Sequence, residues 1–164
     1  MEIERKFLIK ALPENLSDYP CLEIEQGYLN TNPVLRIRKQ NDQYFLTYKG
    51  KGMLAREEYN LPLNAESYAH LSTKCDGNII SKKRYLIPLN TPVFTDDCPE
   101  ALMPESLTIE LDVFNAPFAP LIMAEVEFAT LEAAKAFMPP NWFSEDVTNN
   151  PEYHNSNMSR KVFD

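Results

Sequence analysis

Apolar and polar residues alternate along most of this chain, and the polar member of the alternation is very often charged. The opening run Glu2-Ile3-Glu4-Arg5-Lys6-Phe7 sets Glu2, Glu4 and Lys6 on one face of a strand, because successive strand side chains point to opposite sides. The two-residue spacing of charge recurs at Arg36 and Arg38, Lys49 and Lys51, Arg56 and Glu58, Lys82 and Arg84, Glu110 and Asp112, and Glu125 and Glu127. Between the charges stand apolar residues such as Ile37, Leu111 and Val126, so the opposite face has something to pack. The pattern predicts strands over 2–9, 22–29, 34–39, 43–49, 56–61, 79–88, 107–114 and 121–128. Turn-forming residues divide them: Asn30-Thr31-Asn32-Pro33, Asn41-Asp42, the stretch 50–52, and Asp76-Gly77-Asn78. The period lengthens in two places, predicting helices over 64–74, with Asn64 as N-cap, and 130–137, opened by Thr130 and stopped by Pro139 and Pro140. A short helix after Tyr153 is also expected. The proline-spaced stretch 90–105 reads as a long loop, either a lid or a disordered excursion.

One charged pair on a strand is most often a solvated surface. Seven of them, each backed by an apolar face, point instead to a sheet that curls its charged side inward around a lumen and packs its apolar side outward against helices. The inward candidates are Glu2, Glu4, Glu58, Glu110, Asp112, Glu125 and Glu127 against Lys6, Arg36, Arg38, Lys49, Arg56, Lys82 and Arg84, so the lumen is close to neutral. Stability does not account for such an interior, because buried ion pairs are poor stabilisers compared with apolar packing. A ligand does.

Composition narrows the class of ligand and partner. A chain of 164 residues with 44% hydrophobic content supports one domain, 1–164. A net charge of −8 argues against binding nucleic acid or an anionic membrane through a basic surface, while leaving room for a small anion in a local basic pocket. Cys21, Cys75 and Cys98 are odd in number and widely spaced, with only His70 and His154 beside them, which suggests neither a zinc site nor a disulfide framework and fits a reducing cytoplasm.

The runs Glu2-Ile3-Glu4-Arg5-Lys6-Phe7-Leu8, Gln26-Gly27-Tyr28-Leu29, Arg36-Ile37-Arg38, Leu46-Thr47-Tyr48-Lys49-Gly50, Lys82-Lys83-Arg84-Tyr85, Glu110-Leu111-Asp112-Val113-Phe114 and Ala124-Glu125-Val126-Glu127-Phe128 resemble the CYTH family, the triphosphate tunnel metalloenzymes, in order and spacing over nearly the whole chain. Asp146-Val147-Thr148 and Tyr153-His154-Asn155-Ser156 resemble the tail of its short bacterial members. The resemblance implies a mainly β (α+β) fold, an eight-stranded antiparallel closed β-barrel tunnel with flanking helices. It further implies hydrolysis or cyclisation of triphosphate substrates with Mg2+ or Mn2+, and it is compatible with a homodimer.

The residues suit that chemistry on their own terms. A linear triphosphate carries several charges and has to be gripped from many sides, which Arg36, Arg38, Lys49, Arg56, Lys82 and Arg84 can do, the arginines by forked contacts and the lysines as point charges. Carboxylates would repel the same anion unless divalent metal stood between, and Glu2, Glu4, Glu58, Asp112, Glu125 and Glu127 are the hard oxygen donors that Mg2+ and Mn2+ prefer. Lys6 shares a face with Glu2 and Glu4 and is a catalytic candidate. By strand parity Tyr28 reads as core packing or, as the resemblance implies for some members, as the partner of Lys49 on an adjacent strand in a catalytic pair that assists water activation. Three functions fit such a lumen: a triphosphatase acting on tripolyphosphate or thiamine triphosphate, a class IV adenylate cyclase, and a module that binds polyphosphate or nucleotide without turnover. The short chain and its opening motif favour hydrolysis of inorganic tripolyphosphate.

Overall fold

The computed structural model describes residues 1–163, and the alternation is realised as strands almost throughout. They are β1 (Glu2–Leu8), β2 (Cys21–Thr31), β3 (Val34–Gln40), β4 (Gln43–Lys49), β5 (Ala55–Arg56), β6 (Glu58–Leu63), β7 (Asp76–Leu89), β8 (Val93–Phe94), β9 (Leu107–Phe114), β10 (Ile122–Glu127) and β11 (Phe137–Met138). The helices are α1 (Ala65–Ser72), α2 (Leu131–Ala136) and α3 (Asn155–Met158). Both predicted caps form. The Asn64 side chain accepts from the Ser67 backbone N–H at 2.7 Å, and the Thr130 hydroxyl accepts from the Ala133 N–H at 3.1 Å, each satisfying a donor that the first helical turn leaves unpaired.

Nine strands form the main antiparallel sheet, in the order β5-β1-β10-β9-β7-β2-β3-β4-β6, where eight were expected. The difference lies at Glu57. The predicted strand over 56–61 breaks there into β5, which pairs with β1, and β6, which pairs with β4. One continuous segment thus touches both ends of the sheet and draws it into a nearly closed barrel. The turn that returns the chain to β5 passes through Gly52 at φ +130, where a Cβ would lie 2.1 Å from the Ala55 carbonyl oxygen, so only glycine fits.

Beyond Ile3 the free edge of β1 is covered by the C-terminal segment. Leu8 N–H donates to Glu145 O at 2.8 Å, Ser144 N–H to Leu8 O at 2.8 Å and Val147 N–H to Lys6 O at 2.9 Å. The outer face of β1, β9 and β10 carries Ile3, Phe7, Ile109, Leu111, Ala124 and Val126, and these pack with Ala133 and Ala134 of α2, Phe128, Phe137 and Phe143 into the main core. The stretch 90–105 is a long loop, as expected, with β8 and one 3-10 turn over Glu100–Leu102 as its regular parts, and it is packed on the core rather than a disordered excursion. Its β8 pairs with β11, Phe94 packs on Phe137 at a 6.0 Å centroid distance, and Cys98 is buried, so it clasps the outside of the core.

A second cluster forms inside the barrel at one end. Leu8 and Met123 are opposite one another, Phe114 is opposite Lys82, Ile80 opposite Gln26, Tyr28 opposite Arg36 and Val34 opposite Lys49, so these apolar residues share the inner face with the charges. Tyr28, Val34, Ile80, Phe114 and Met123 pack with Phe118 and with Met158 of α3. Asn78 N–H donates to Ser159 O at 2.6 Å and its amide to Lys161 O at 2.7 Å, tying α3 against the β2–β7 end. The lumen is therefore charged along its length and sealed by apolar packing at the α3 end.

Candidate active site

Register fixes which charges meet. Across β1 and β10, Glu4 faces Glu127 and Lys6 faces Glu125; across β10 and β9, Glu125 faces Glu110; across β9 and β7, Asp112 faces Arg84. Glu2 faces Arg56 of β5, and Lys49 faces Glu58 of β6. A cavity of about 270 Å3 opens among Glu2, Glu4, Arg36, Arg38, Lys49, Glu58, Arg84, Glu110, Glu125 and Glu127, with Leu22, Gln40, Leu86 and Asn155 completing the wall. Glu127 stands exposed at the mouth, whereas Glu4, Arg36, Arg84 and Glu125 are buried.

At the inner end the charges neutralise one another. Arg84 grips Asp112 bidentately, Nε to Oδ1 at 2.7 Å and Nη2 to Oδ2 at 2.9 Å, and reaches Glu110 at 2.7 Å and Glu125 at 3.1 Å. Lys82 Nζ sits 2.7 Å from Asp112 Oδ2 and over the Phe114 ring at 5.3 Å. Burial alone would favour the neutral acid in Asp112, but Arg84 and Lys82 outweigh it and hold its pKa below the usual range. Burial lowers the Lys82 pKa to about 8 in spite of Asp112. Lys6 Nζ lies 3.5 Å from Glu125 and 3.8 Å from Glu4; burial opposes its charge, yet these two carboxylates raise its pKa and keep it cationic.

On the side of β3 and β6 the neutralisation fails in both directions. Arg36 and Arg38 are held by neutral groups: Arg36 Nη2 donates to Thr47 Oγ1 at 3.3 Å and Arg38 Nε to Gln26 Oε1 at 2.9 Å. Buried Arg36 Nε and Gln26 Nε2 have no acceptor among the described residues. Burial, then the proximity of Arg36 and Arg84, brings the Arg38 pKa down to about 9, the mark of a cation short of a counter-charge. Across the lumen carboxylates crowd. Burial, a hydrogen bond with Glu58 and the charge of Glu4 push Glu2 up to about 8, while Glu58, although burial pushes it up, is held at about 2 by Glu2, Lys49 and Asn60; the pair keeps one proton between them. Burial, Glu4 and Glu58 raise Glu127 as well. Lys49 Nζ bridges Glu2 at 3.0 Å and Glu58 at 3.6 Å, and Arg56 Nε stands 3.8 Å from Glu2.

Metal fits this donor set by chemistry. Glu2 and Glu127, pushed up by burial and by neighbouring carboxylates, are in the condition that a divalent cation relieves, and all the donors are hard oxygens. As the side chains stand, no three His, Cys, Asp or Glu groups among the described residues converge into a ligand cage.

All fourteen charged residues expected inside do share the inner face. Tyr28 is core packing rather than the adjacent-strand partner of Lys49: it belongs to β2 and Lys49 to β4, with β3 between them, and it is buried in the apolar seal. The neutral members of the site, Gln26, Gln40, Thr47, Asn60 and Asn155, carry no charge to mark them in the alternation. The signal was present, since Gln40, Thr47 and Asn60 each stand two residues from a charged inner-face position.

The CYTH domain profile matches residues 1–116. An inorganic triphosphatase of Nitrosomonas europaea is 34% identical over 164 residues, covering 98% of each chain. An inorganic triphosphatase of Acetivibrio thermocellus is 29% identical over 172 residues, covering 99% of this chain and 95% of that one. A crystal structure of an inorganic triphosphatase superposes with a TM-score of 0.69 at 33% identity, over 99% of this chain and 96% of the other. On the profile, the full-length relatives and the barrel with its inward charges, this chain belongs to the CYTH family.

Proposed function

We propose that this protein is a divalent-metal-dependent triphosphatase that hydrolyses inorganic tripolyphosphate, using Mg2+ or Mn2+. The observation that carries this reading is the division of one lumen into guanidinium groups held by neutral partners among the described residues, Arg36 and Arg38, and crowded carboxylates, Glu2, Glu58 and Glu127. A polyanion supplies what the first group lacks and divalent cations what the second lacks, and only a metal–polyphosphate complex supplies both. The naming of both full-length relatives as inorganic triphosphatases supports it.

Within this reading Glu2, Glu4, Glu58, Glu125 and Glu127 hold metal, while Asp112, saturated by Arg84 and Lys82, is an internal counter-ion that fixes Arg84. Lys82, paired with Asp112 and, unlike Arg84, absent from the cavity wall, leaves the substrate-binding set. Arg36, Arg38 and Arg84 grip the phosphoryl oxygens, with Lys49 and Arg56 beside Glu2. The bound metal supplies Lewis-acid stabilisation and a nucleophilic water at neutral pH. Lys6, kept cationic between Glu4 and Glu125, neutralises charge that grows on the phosphoryl oxygens as the bond breaks. Tyr28 closes the inner end beside Arg36 and shapes the chamber.

A panel of tripolyphosphate, ATP and thiamine triphosphate, scored for orthophosphate and cyclic AMP with Mg2+, Mn2+ or EDTA, tests this. We expect orthophosphate from tripolyphosphate with either metal, none in EDTA, and loss of most turnover in folded Glu4→Gln and Glu127→Gln. Undiminished activity in EDTA, or cyclic AMP as the main product, overturns it.

A further inference from the structure

Arg36, Thr47 and Asn60 stand side by side in one rung across three strands: Arg36 of β3 is opposite Thr47 of β4, and Thr47 is opposite Asn60 of β6. Their side chains form a chain with one direction. Arg36 Nη2 donates to Thr47 Oγ1 at 3.3 Å, Thr47 donates its only hydroxyl proton to Asn60 Oδ1 at 2.6 Å, and Asn60 Nδ2 donates to Glu58 Oε1 at 2.9 Å. Each link dictates the next. A guanidinium only donates, so Thr47 has to turn its lone pairs toward Arg36 and its proton toward Asn60. Asn60 then has its oxygen toward Thr47 and its amide hydrogens toward the acceptor carboxylate. The reverse orientation would set donor against donor at one end and acceptor against acceptor at the other. Thr47 is fully buried, so no solvent molecule substitutes for it. With Glu58 Oε1 occupied by Asn60, Oε2 lies toward Lys49 at 3.6 Å, on the side of Glu2.

We infer that Thr47 and Asn60 are positioning residues that join the phosphate-gripping Arg36 to the metal-binding Glu58, so that one uncharged rung orients both halves of the site. The inference rests on the triphosphatase reading for the identity of the two ligands. It assigns function to two uncharged residues through the groups they orient. Groups that orient the side chains around a metal site change its affinity by about 10- to 100-fold when removed. A break in the middle of the rung therefore weakens both ligands, each measured in the absence of the other.

The experiment is calorimetric titration of wild type, Thr47→Val, Thr47→Ser and Asn60→Ala, with tripolyphosphate in EDTA and separately with Mn2+ alone. Thr47→Val keeps the shape and removes only the hydroxyl; we expect weaker binding of tripolyphosphate and Mn2+ alike, about tenfold for the metal, with Thr47→Ser restoring both. Asn60 is exposed, so its truncation leaves folding intact, and we expect Asn60→Ala to weaken Mn2+ by a similar factor. Should Thr47→Val misfold, Asn60→Ala decides. Wild-type Mn2+ affinity in Asn60→Ala, or in a folded Thr47→Val, overturns the inference. Because both titrations read binding, they stand even if the wild type releases no orthophosphate, an outcome that sinks the triphosphatase reading instead.

Discussion

Single residues in this lumen are defined by what they lack. Arg36 and Arg38 are cations that make no ion pair with a carboxylate among the described residues, so their loss should be felt in substrate binding rather than in stability. We expect Arg36→Ala and Arg38→Ala to remain folded and to bind tripolyphosphate more weakly by titration, whereas Lys6→Met should bind it and lose turnover by about tenfold or more, the scale of one positioned electrostatic group. Unchanged affinity in both arginine variants would mean that neither reaches the ligand. His154 gives a pH signature of another kind. Its ring Nε2 lies 3.3 Å from Thr148 O, and burial, with the nearby charge of Lys6, lowers its pKa to about 4 from an ordinary 6.5. The unfolded chain thus binds a proton that the folded chain refuses between those values, and stability falls as pH drops through that window. Thermal melts from pH 7 to 4 should show a smaller loss for His154→Gln than for wild type; parallel curves would remove His154 from the account.

At the level of elements, the strand most exposed to slippage is β1, since it carries Glu2, Glu4 and Lys6 and pairs with β5 over only two positions. The tail holds it. Lys6 N–H donates to Thr148 Oγ1 at 3.0 Å, Thr148 donates to Asp146 Oδ1 at 2.5 Å, and Asp146 Oδ2 is gripped by Arg5 Nη2 at 2.8 Å. Arg5 also donates to the carbonyls of Ala134 at 3.0 Å and Phe137 at 2.7 Å, which locks α2 to the same strand. Thr148→Val leaves the buried Lys6 N–H without an acceptor and should lower the unfolding free energy by about 1–3 kcal/mol in urea titration. No change there would show that other tail contacts suffice. This level is also where the sequence was least legible. Strand faces could be read because charge recurs every second residue, and Asn64 and Thr130 could be read because caps act within one helical turn. The break at Glu57, the pairing of β8 with β11 and the covering of β1 by the tail depend on partners remote in the chain, where alternation carries no information. Among site residues the charged ones were visible by their spacing, but their roles depended on neighbours: nothing in Asp112 itself says that Arg84 and Lys82 will occupy it.

Taken whole, the molecule separates its charge by location. The lumen sets seven acids against seven bases, so the net charge of −8 resides on the exterior, which keeps a bare polyanion at a distance and tolerates one already carrying divalent cations. The apolar seal, Leu8, Met123, Phe114, Ile80 and Tyr28 under Met158 of α3, makes the same chamber a cul-de-sac rather than a corridor. Traffic through a cul-de-sac is last in, first out. Both fragments of a cleaved triphosphate have to back out through the doorway that the next molecule needs, and a fragment that lingers occupies the next molecule's seat. Pyrophosphate should therefore inhibit competitively against tripolyphosphate, raising KM and leaving kcat untouched in initial-rate measurements. A noncompetitive pattern would mean that pyrophosphate leaves before orthophosphate and does not hold the seat that tripolyphosphate needs.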